Sequence, residues 1–145
     1  MTGRGKSRVL FLCTGNACRS QMAEGWARAL HGGWLEPASA GIEPAGLDPR
    51  AVRVMREAGV DISTHTSKKL DEVAEHRFDL VVTVCDSARE RCPLPLAGTR
   101  SCHEGFDDPP RLAARAKSED EALPHYRRVR DEIRRFVARL SPDDL

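Results

Sequence analysis

The segment Phe78 to Val84 constrains the fold more than any other part of the chain. It carries Leu80, Val81, Val82 and Val84 in nearly unbroken apolar order. β-Branched residues lose side-chain freedom in a helix and pack well on a pleated strand. A continuous apolar run, unlike an alternating one, belongs to a strand buried on both faces, as in a parallel sheet. Residues Arg8 to Cys13 repeat the pattern and stop at Thr14-Gly15, a turn signal. A further strand is expected within Leu35 to Ala40, and a weaker fourth at Thr99 to Cys102.

Helical periods separate these runs. Between Gln21 and Leu30, Met22, Ala23, Trp26, Ala29 and Leu30 recur at helical spacing, and Gly32-Gly33 closes the segment. Asp48-Pro49 reads as an N-cap followed by a first-turn proline. Val52, Met55 and Ala58 then predict the apolar face of that helix, and Gly59 its end. A short helix is expected after Thr66-Ser67, through Leu70, Val73 and Ala74. A long one runs from about Glu119 to Leu140, with Tyr126, Val129, Ile133, Phe136 and Val137 on one face and Pro124 near its start. This alternation predicts an α/β fold of three layers around a central four-stranded parallel sheet, joined by right-handed crossovers. Residues 1–145 read as one domain. Ligands of such sheets bind at the carboxyl ends of strands, where both Cys13 and Cys85 fall.

The 23 basic and 22 acidic residues nearly cancel, which argues against a nucleic-acid partner. No run approaches the ~20 apolar residues of a membrane span. Met1 to Ser7 is polar and precedes only a short apolar run, so no signal peptide is read there. A cytoplasmic location is expected, where thiols stay reduced. The five cysteines (Cys13, Cys18, Cys85, Cys92 and Cys102) therefore point to chemistry or metal binding more than to structural staples.

Between the first strand and the first helix stands Cys13-Thr14-Gly15-Asn16-Ala17-Cys18-Arg19-Ser20. A cysteine, five residues and an arginine at a strand-to-helix junction predict an anion cradle. Backbone N–H groups and the helix N-terminus converge on one oxyanion, and Arg19 can clamp two of its oxygens. The same field favours the thiolate of Cys13, the expected nucleophile. Ser20 is placed to hydrogen-bond the sulfur, and Asn16 to brace the loop. Gly5-Lys6-Ser7 is not a nucleotide loop, because it precedes the strand and has no glycine five residues upstream.

The stretch Val9 to Trp26 (VLFLCTGNACRSQMAEGW) resembles the start of thioredoxin-coupled arsenate reductases, relatives of the low-molecular-weight phosphotyrosine phosphatases. The resemblance continues through Ser39 to Ile42, Asp61 to Ser63, Asp79 to Cys85, His103 to Pro109 and Tyr126 to Ile133. It implies the fold of that superfamily and arsenate as substrate, bound by Thr14 to Ser20. It makes Asp108, just before Pro109, the general acid that protonates the leaving oxygen. It implies that Cys13 attacks arsenate, that Cys85 attacks Cys13 as arsenite leaves, and that Cys92 attacks Cys85. Thioredoxin then reduces the Cys85–Cys92 disulfide, so electrons come from thioredoxin and no tightly bound cofactor is needed. The chain departs from the family at Glu104, where an aromatic residue is common, a change expected to alter the pocket wall or the potential near Asp108 without removing a catalytic group.

Cys92 lies seven residues after Cys85. In a helix their Cα atoms would be ~10.5 Å apart, whereas a disulfide spans roughly 4.4–6.8 Å, so the pair requires such a helix to unwind. A zinc site from Cys85, Cys92, Cys102 and His103 competes weakly, since no Cys-x2-Cys pair is present. Some relatives bind potassium near the loop, where Asn16, Glu24, Ser39 and Thr66 would supply oxygens. Here Lys68 replaces the acidic residue that completes the site, so no metal is expected. Cys18 and Cys102 read as small core residues. The alternatives to a monomeric arsenate reductase are a low-molecular-weight tyrosine phosphatase, which needs only Cys13, Arg19 and Asp108, and a non-catalytic oxyanion or arsenite sensor.

Overall fold

The computed structural model describes residues 6–73, 77–85 and 99–145. Four parallel strands form one sheet in the order β2-β1-β3-β4: β1 (Ser7–Cys13), β2 (Leu35–Gly41), β3 (Leu80–Thr83) and β4 (Arg100–His103). The two most apolar runs, β1 and β3, occupy the centre. Val9 to Leu12 and Leu80 to Val82 are all buried, as strands covered on both faces must be. β4 is an edge strand, exposed along most of its length. It starts one residue later than the expected Thr99, whose hydroxyl donates to the Phe78 carbonyl.

The helices are α1 (Arg19–His31), α2 (Pro49–Glu57), α3 (Leu70–Val73), α4 (Pro109–Leu112) and α5 (Glu119–Ala138), with a final 3-10 turn at Pro142–Asp144. α1 packs on α5 through Met22, Ala23, Trp26 and Ala27, with Val129, Ile133 and Val137 buried in the same core. The Trp26 indole N–H donates to the Arg130 carbonyl at 3.2 Å, so its polar edge is satisfied inside that core. Ala29 and Leu30, expected on the buried face, are exposed, and Ala27 takes that place. α2 is also rotated from expectation. Ala51, Val54 and Met55 are buried, whereas Ala58 is exposed and Val52 only partly covered. Both stripes are helical in period, and α2 packs against both α1 and α5. α3 is a single turn that begins at Leu70, later than Thr66-Ser67 suggests.

Asp48 joins three elements. Its Oδ1 accepts from Arg50 N at 2.9 Å and caps α2. Its Oδ2 accepts from the Tyr126 hydroxyl of α5 at 2.7 Å. Its own N–H donates to the Ala17 carbonyl at 2.9 Å. Arg50 adds a fork to Glu119, at 3.0 and 2.8 Å, between the starts of α2 and α5. Burial and the Asp48 carboxylate both raise the Tyr126 phenol, which stays a neutral donor. No described helix is long and apolar enough to cross a membrane.

Candidate active site

β1 and β3 are neighbours, and Val84 N donates to the Leu12 carbonyl at 2.9 Å just past their last paired residues. The ladder therefore delivers Cys13 and Cys85 to the same end of the sheet. Both are buried, 3% and 5% exposed.

The loop after Cys13 has its shape imposed from outside. The carbonyls of Cys13, Thr14, Gly15 and Ala17 accept from the N–H groups of Ile42, Glu43, Ala45 and Asp48, at 2.8–3.2 Å. A trans peptide points its C=O and its N–H in opposite directions. With those carbonyls turned outward, the N–H groups of Thr14, Gly15, Asn16 and Cys18 turn inward, as an anion cradle requires. Asn16 holds a left-handed backbone, φ 47°, unusual outside glycine. Gly41 lies against this loop at the end of β2. A Cβ there would stand 2.7 Å from the Thr14 carbonyl oxygen and 2.8 Å from Asn16 N. These are backbone atoms, so Gly41→Ala must displace the cradle. We expect it to lower kcat/KM about 100-fold, the scale of a 1 Å misplacement, while the protein stays folded by circular dichroism. Wild-type kinetics in that variant would show that the loop yields freely.

The Cys13 sulfur lies 2.8 Å from the Ser20 hydroxyl, which in turn accepts from Asn16 Nδ2 at 2.9 Å. The Cys85 sulfur lies 3.2 Å from the Thr14 hydroxyl. One residue of the loop thus touches the second thiol while its neighbours form the cradle around the first. Cys18 is buried as expected, 4% exposed. Burial, then Asp48 and Cys13, push its thiol well up, so it stays neutral. Cys102 corrects the expectation of a core residue, because the edge position of β4 leaves it exposed. Cys92, and with it the helix-length argument, falls outside the described residues.

Opposite the loop, Arg19 Nη1 donates to the Phe106 carbonyl at 2.9 Å and Nη2 stands 3.6 Å from Asp108 Oδ1. Asp108 precedes α4 at the N-cap position but makes no capping hydrogen bond, so its carboxyl remains available to the cleft. Asp107 instead turns to Arg128, at 2.9 Å, and Phe106 meets Phe136 edge-on, which together pin this segment to α5. Thr14, Arg19, Cys85, Gly105 to Asp108, Arg111 and Leu112 line a cleft of about 760 Å³. Glu104 does not reach it. That residue lines a separate hollow beside Cys102 and Phe136, at the sheet edge.

Among the described residues no three ligating side chains converge as a metal site; Cys85 is buried beside the cleft, whereas Cys102 is exposed and lines a different hollow. Of the oxygens considered for potassium, those of Asn16, Glu24 and Thr66 accept from the chain's own donors. Lys68 Nζ donates to the Thr66 carbonyl at 2.9 Å, and Glu24 accepts from Ser39 at 2.6 Å and Arg28 at 3.0 Å. Sequence reasoning missed Gln21 and His65, which lie behind the loop. No spacing rule marks them, because their partners are backbone and side-chain atoms distant in sequence.

Comparison with known proteins agrees with this geometry. The family model described as low molecular weight phosphotyrosine protein phosphatase matches residues 8–143. An arsenate reductase of Bacillus licheniformis is 46% identical over 136 residues, covering 94% of this chain and 96% of its own. Among solved structures, a low molecular weight protein tyrosine phosphatase from T. tengcongensis superposes with a TM-score of 0.74 at 28% identity, over 91% of this chain and 95% of that one. A thioredoxin-dependent arsenate reductase of Corynebacterium glutamicum gives a TM-score of 0.67 at 26% identity, over 93% of this chain and 62% of that one. The chain belongs to the low molecular weight phosphotyrosine protein phosphatase family.

Proposed function

We propose that the protein is an arsenate reductase that works through three cysteines and is recycled by thioredoxin. The observation that carries this reading is the second thiol: Cys85 stands at the cradle, hydrogen-bonded to Thr14 of the anion loop. A phosphatase of this fold needs one nucleophilic cysteine. Reducing As(V) to As(III) needs two electrons, and two neighbouring thiols supply them by closing to a disulfide.

Arsenate enters the loop and meets the inward N–H groups and Arg19. The Cys13 thiolate attacks arsenic, and Asp108 gives its proton to the departing oxygen, which leaves as water. A Cys13–arsenic bond results. Cys85 then attacks the Cys13 sulfur. The electron pair of the sulfur–arsenic bond passes to arsenic, arsenite leaves, and a Cys13–Cys85 disulfide remains. Cys92 attacks Cys85, frees Cys13 as thiolate and leaves a Cys85–Cys92 disulfide, which the thioredoxin dithiol reduces by exchange. No tightly bound cofactor takes part. The protein acts as a monomer in the cytoplasm, where that donor is kept reduced.

The decisive assay is arsenate-dependent NADPH oxidation with thioredoxin and thioredoxin reductase present, then with each omitted. Loss of signal on either omission is expected. A parallel arm with an aryl phosphate tests the phosphatase reading, which the T. tengcongensis neighbour keeps in view. The segment after Asp108 (Pro109, Pro110, Arg111, Leu112) carries no aromatic, which leaves Phe106 as the one aromatic lining the cleft among the described residues, so weak hydrolysis is expected there. Binding of arsenite without any turnover would turn the assignment to a sensor.

Asp108→Asn should bind the anion yet slow the first chemical step by about 10²–10⁴-fold, the usual share of a general acid. Rapid-quench detection of the arsenic adduct reads that step. An unchanged rate would move the acid to Asp107.

A further inference from the structure

We propose that Gln21 is a positioning residue for the nucleophile, and that His65 holds its amide in the single orientation that serves Cys13. The proposal rests on the reading of Cys13 as nucleophile. Gln21 is wholly buried in the first turn of α1, where a polar side chain needs partners. Its Nε2 faces three acceptors: the Asn16 carbonyl at 3.1 Å, Asn16 Oδ1 at 3.0 Å and the Thr66 carbonyl at 2.9 Å. None of these atoms can donate, so the amide nitrogen must point toward them. The opposite end, Oε1, then meets His65 Nδ1 at 2.9 Å. An amide oxygen only accepts, so Nδ1 must carry the proton.

The consequence is a chain of donors with one sense. His65 Nδ1–H donates to Gln21, Gln21 Nε2–H to Asn16 Oδ1, and Asn16 Nδ2–H to the Ser20 oxygen. Asn16 cannot turn its amide over, because Oδ1 also accepts from Lys68 N at 2.7 Å. With its oxygen receiving from Asn16, Ser20 directs its own proton to the Cys13 sulfur, 2.8 Å away. Four donors in series thus favour negative charge on that sulfur, and each polarises the next. Gln21 grips Asn16 at two points, its carbonyl and its side chain, and so also braces the left-handed residue of the cradle.

The test reads the sulfur directly. Wild type, Gln21→Met, His65→Asn and His65→Phe are alkylated with iodoacetamide across a range of pH in buffer free of tetrahedral oxyanions. Modification is followed at the Cys13 peptide by mass spectrometry. The ratio of the rate at pH 7 to the high-pH limiting rate reports the thiolate fraction. Gln21→Met should lower that ratio about tenfold, in keeping with a charge-assisted hydrogen bond weakened at its source. His65→Asn keeps a donor near the Nδ1 position and should behave as wild type. His65→Phe keeps the ring but not the donor and should reproduce much of the Gln21→Met loss. An unchanged ratio in Gln21→Met, or equal loss in both His65 variants, overturns the proposal. The His65 pair decides it should Gln21→Met fail to fold. Because alkylation needs no arsenate, a negative result here is distinguishable from failure of the reductase reading.

Discussion

Cys13→Ser removes arsenate turnover, with a loss on the order of 10⁶-fold, the cost of deleting a covalent nucleophile. A serine hydroxyl in the same cradle is not ionised at neutral pH and cannot form the disulfide that carries electrons to arsenic. Arg19→Ala costs about 10³–10⁵-fold, the range seen when a charge-clamping arginine is removed from a transferring oxyanion. It also frees the Phe106 carbonyl and the Asp108 carboxylate that Arg19 now holds. Arg19→Lys should recover little, since a point charge cannot serve an oxyanion and the Phe106 carbonyl in one planar fork. Steady-state assays with thioredoxin, its reductase and NADPH measure all three. Measurable turnover in Cys13→Ser would falsify the nucleophile assignment and shift attention to Cys85.

Cys92→Ser separates the reductive step from recycling. With Cys13 and Cys85 intact, one equivalent of arsenate should release about one equivalent of arsenite. The protein then stalls as a Cys13–Cys85 disulfide. Cys13 and Cys85 are both buried as free thiols at the end of the sheet, so a bond between them is expected to be poorly placed for attack by an external dithiol. Steady-state turnover disappears while the first turnover survives. Peptide mass spectrometry after a single addition identifies the linkage. Sustained thioredoxin-driven turnover in this variant would mean that another thiol resolves the disulfide, and the exposed Cys102 would be the first to examine.

Much of this architecture is legible in the sequence, for specific reasons. β1 and β3 advertise themselves because central parallel strands admit only apolar residues on either face. The anion loop is legible because Cys13, Gly15, Arg19 and Ser20 sit at a strand-to-helix junction where few other arrangements make chemical sense. The face of α2 is not legible. Val52, Met55 and Ala58 and the stripe Ala51, Val54 and Met55 both fit the helical period, and only the positions of the helices packed on α2, α1 and α5, distinguish them. Leu30 and Cys102 fail for a related reason. Apolar character says that burial is favourable, not that a partner surface extends far enough to provide it. Gln21, His65 and Gly41 escape because their value lies in directions of hydrogen bonds and in missing volume, neither of which a residue pattern encodes.

The contact between Arg19 and Asp108 has a consequence for how affinity is measured. An empty cradle is not an empty charge site, for the carboxylate stands 3.6 Å from the guanidinium that an oxyanion must claim. Binding is therefore an exchange of one anionic partner for another, and the observed dissociation constant is that of the cradle weakened by a tethered competitor. Asp108→Asn removes the competitor together with the proposed proton donor. Its affinity for a tetrahedral anion should rise while its first chemical step slows, so titration calorimetry and rapid quench on this one variant should move in opposite directions. Equal or weaker binding in that variant would show that the carboxylate does not contend for the site.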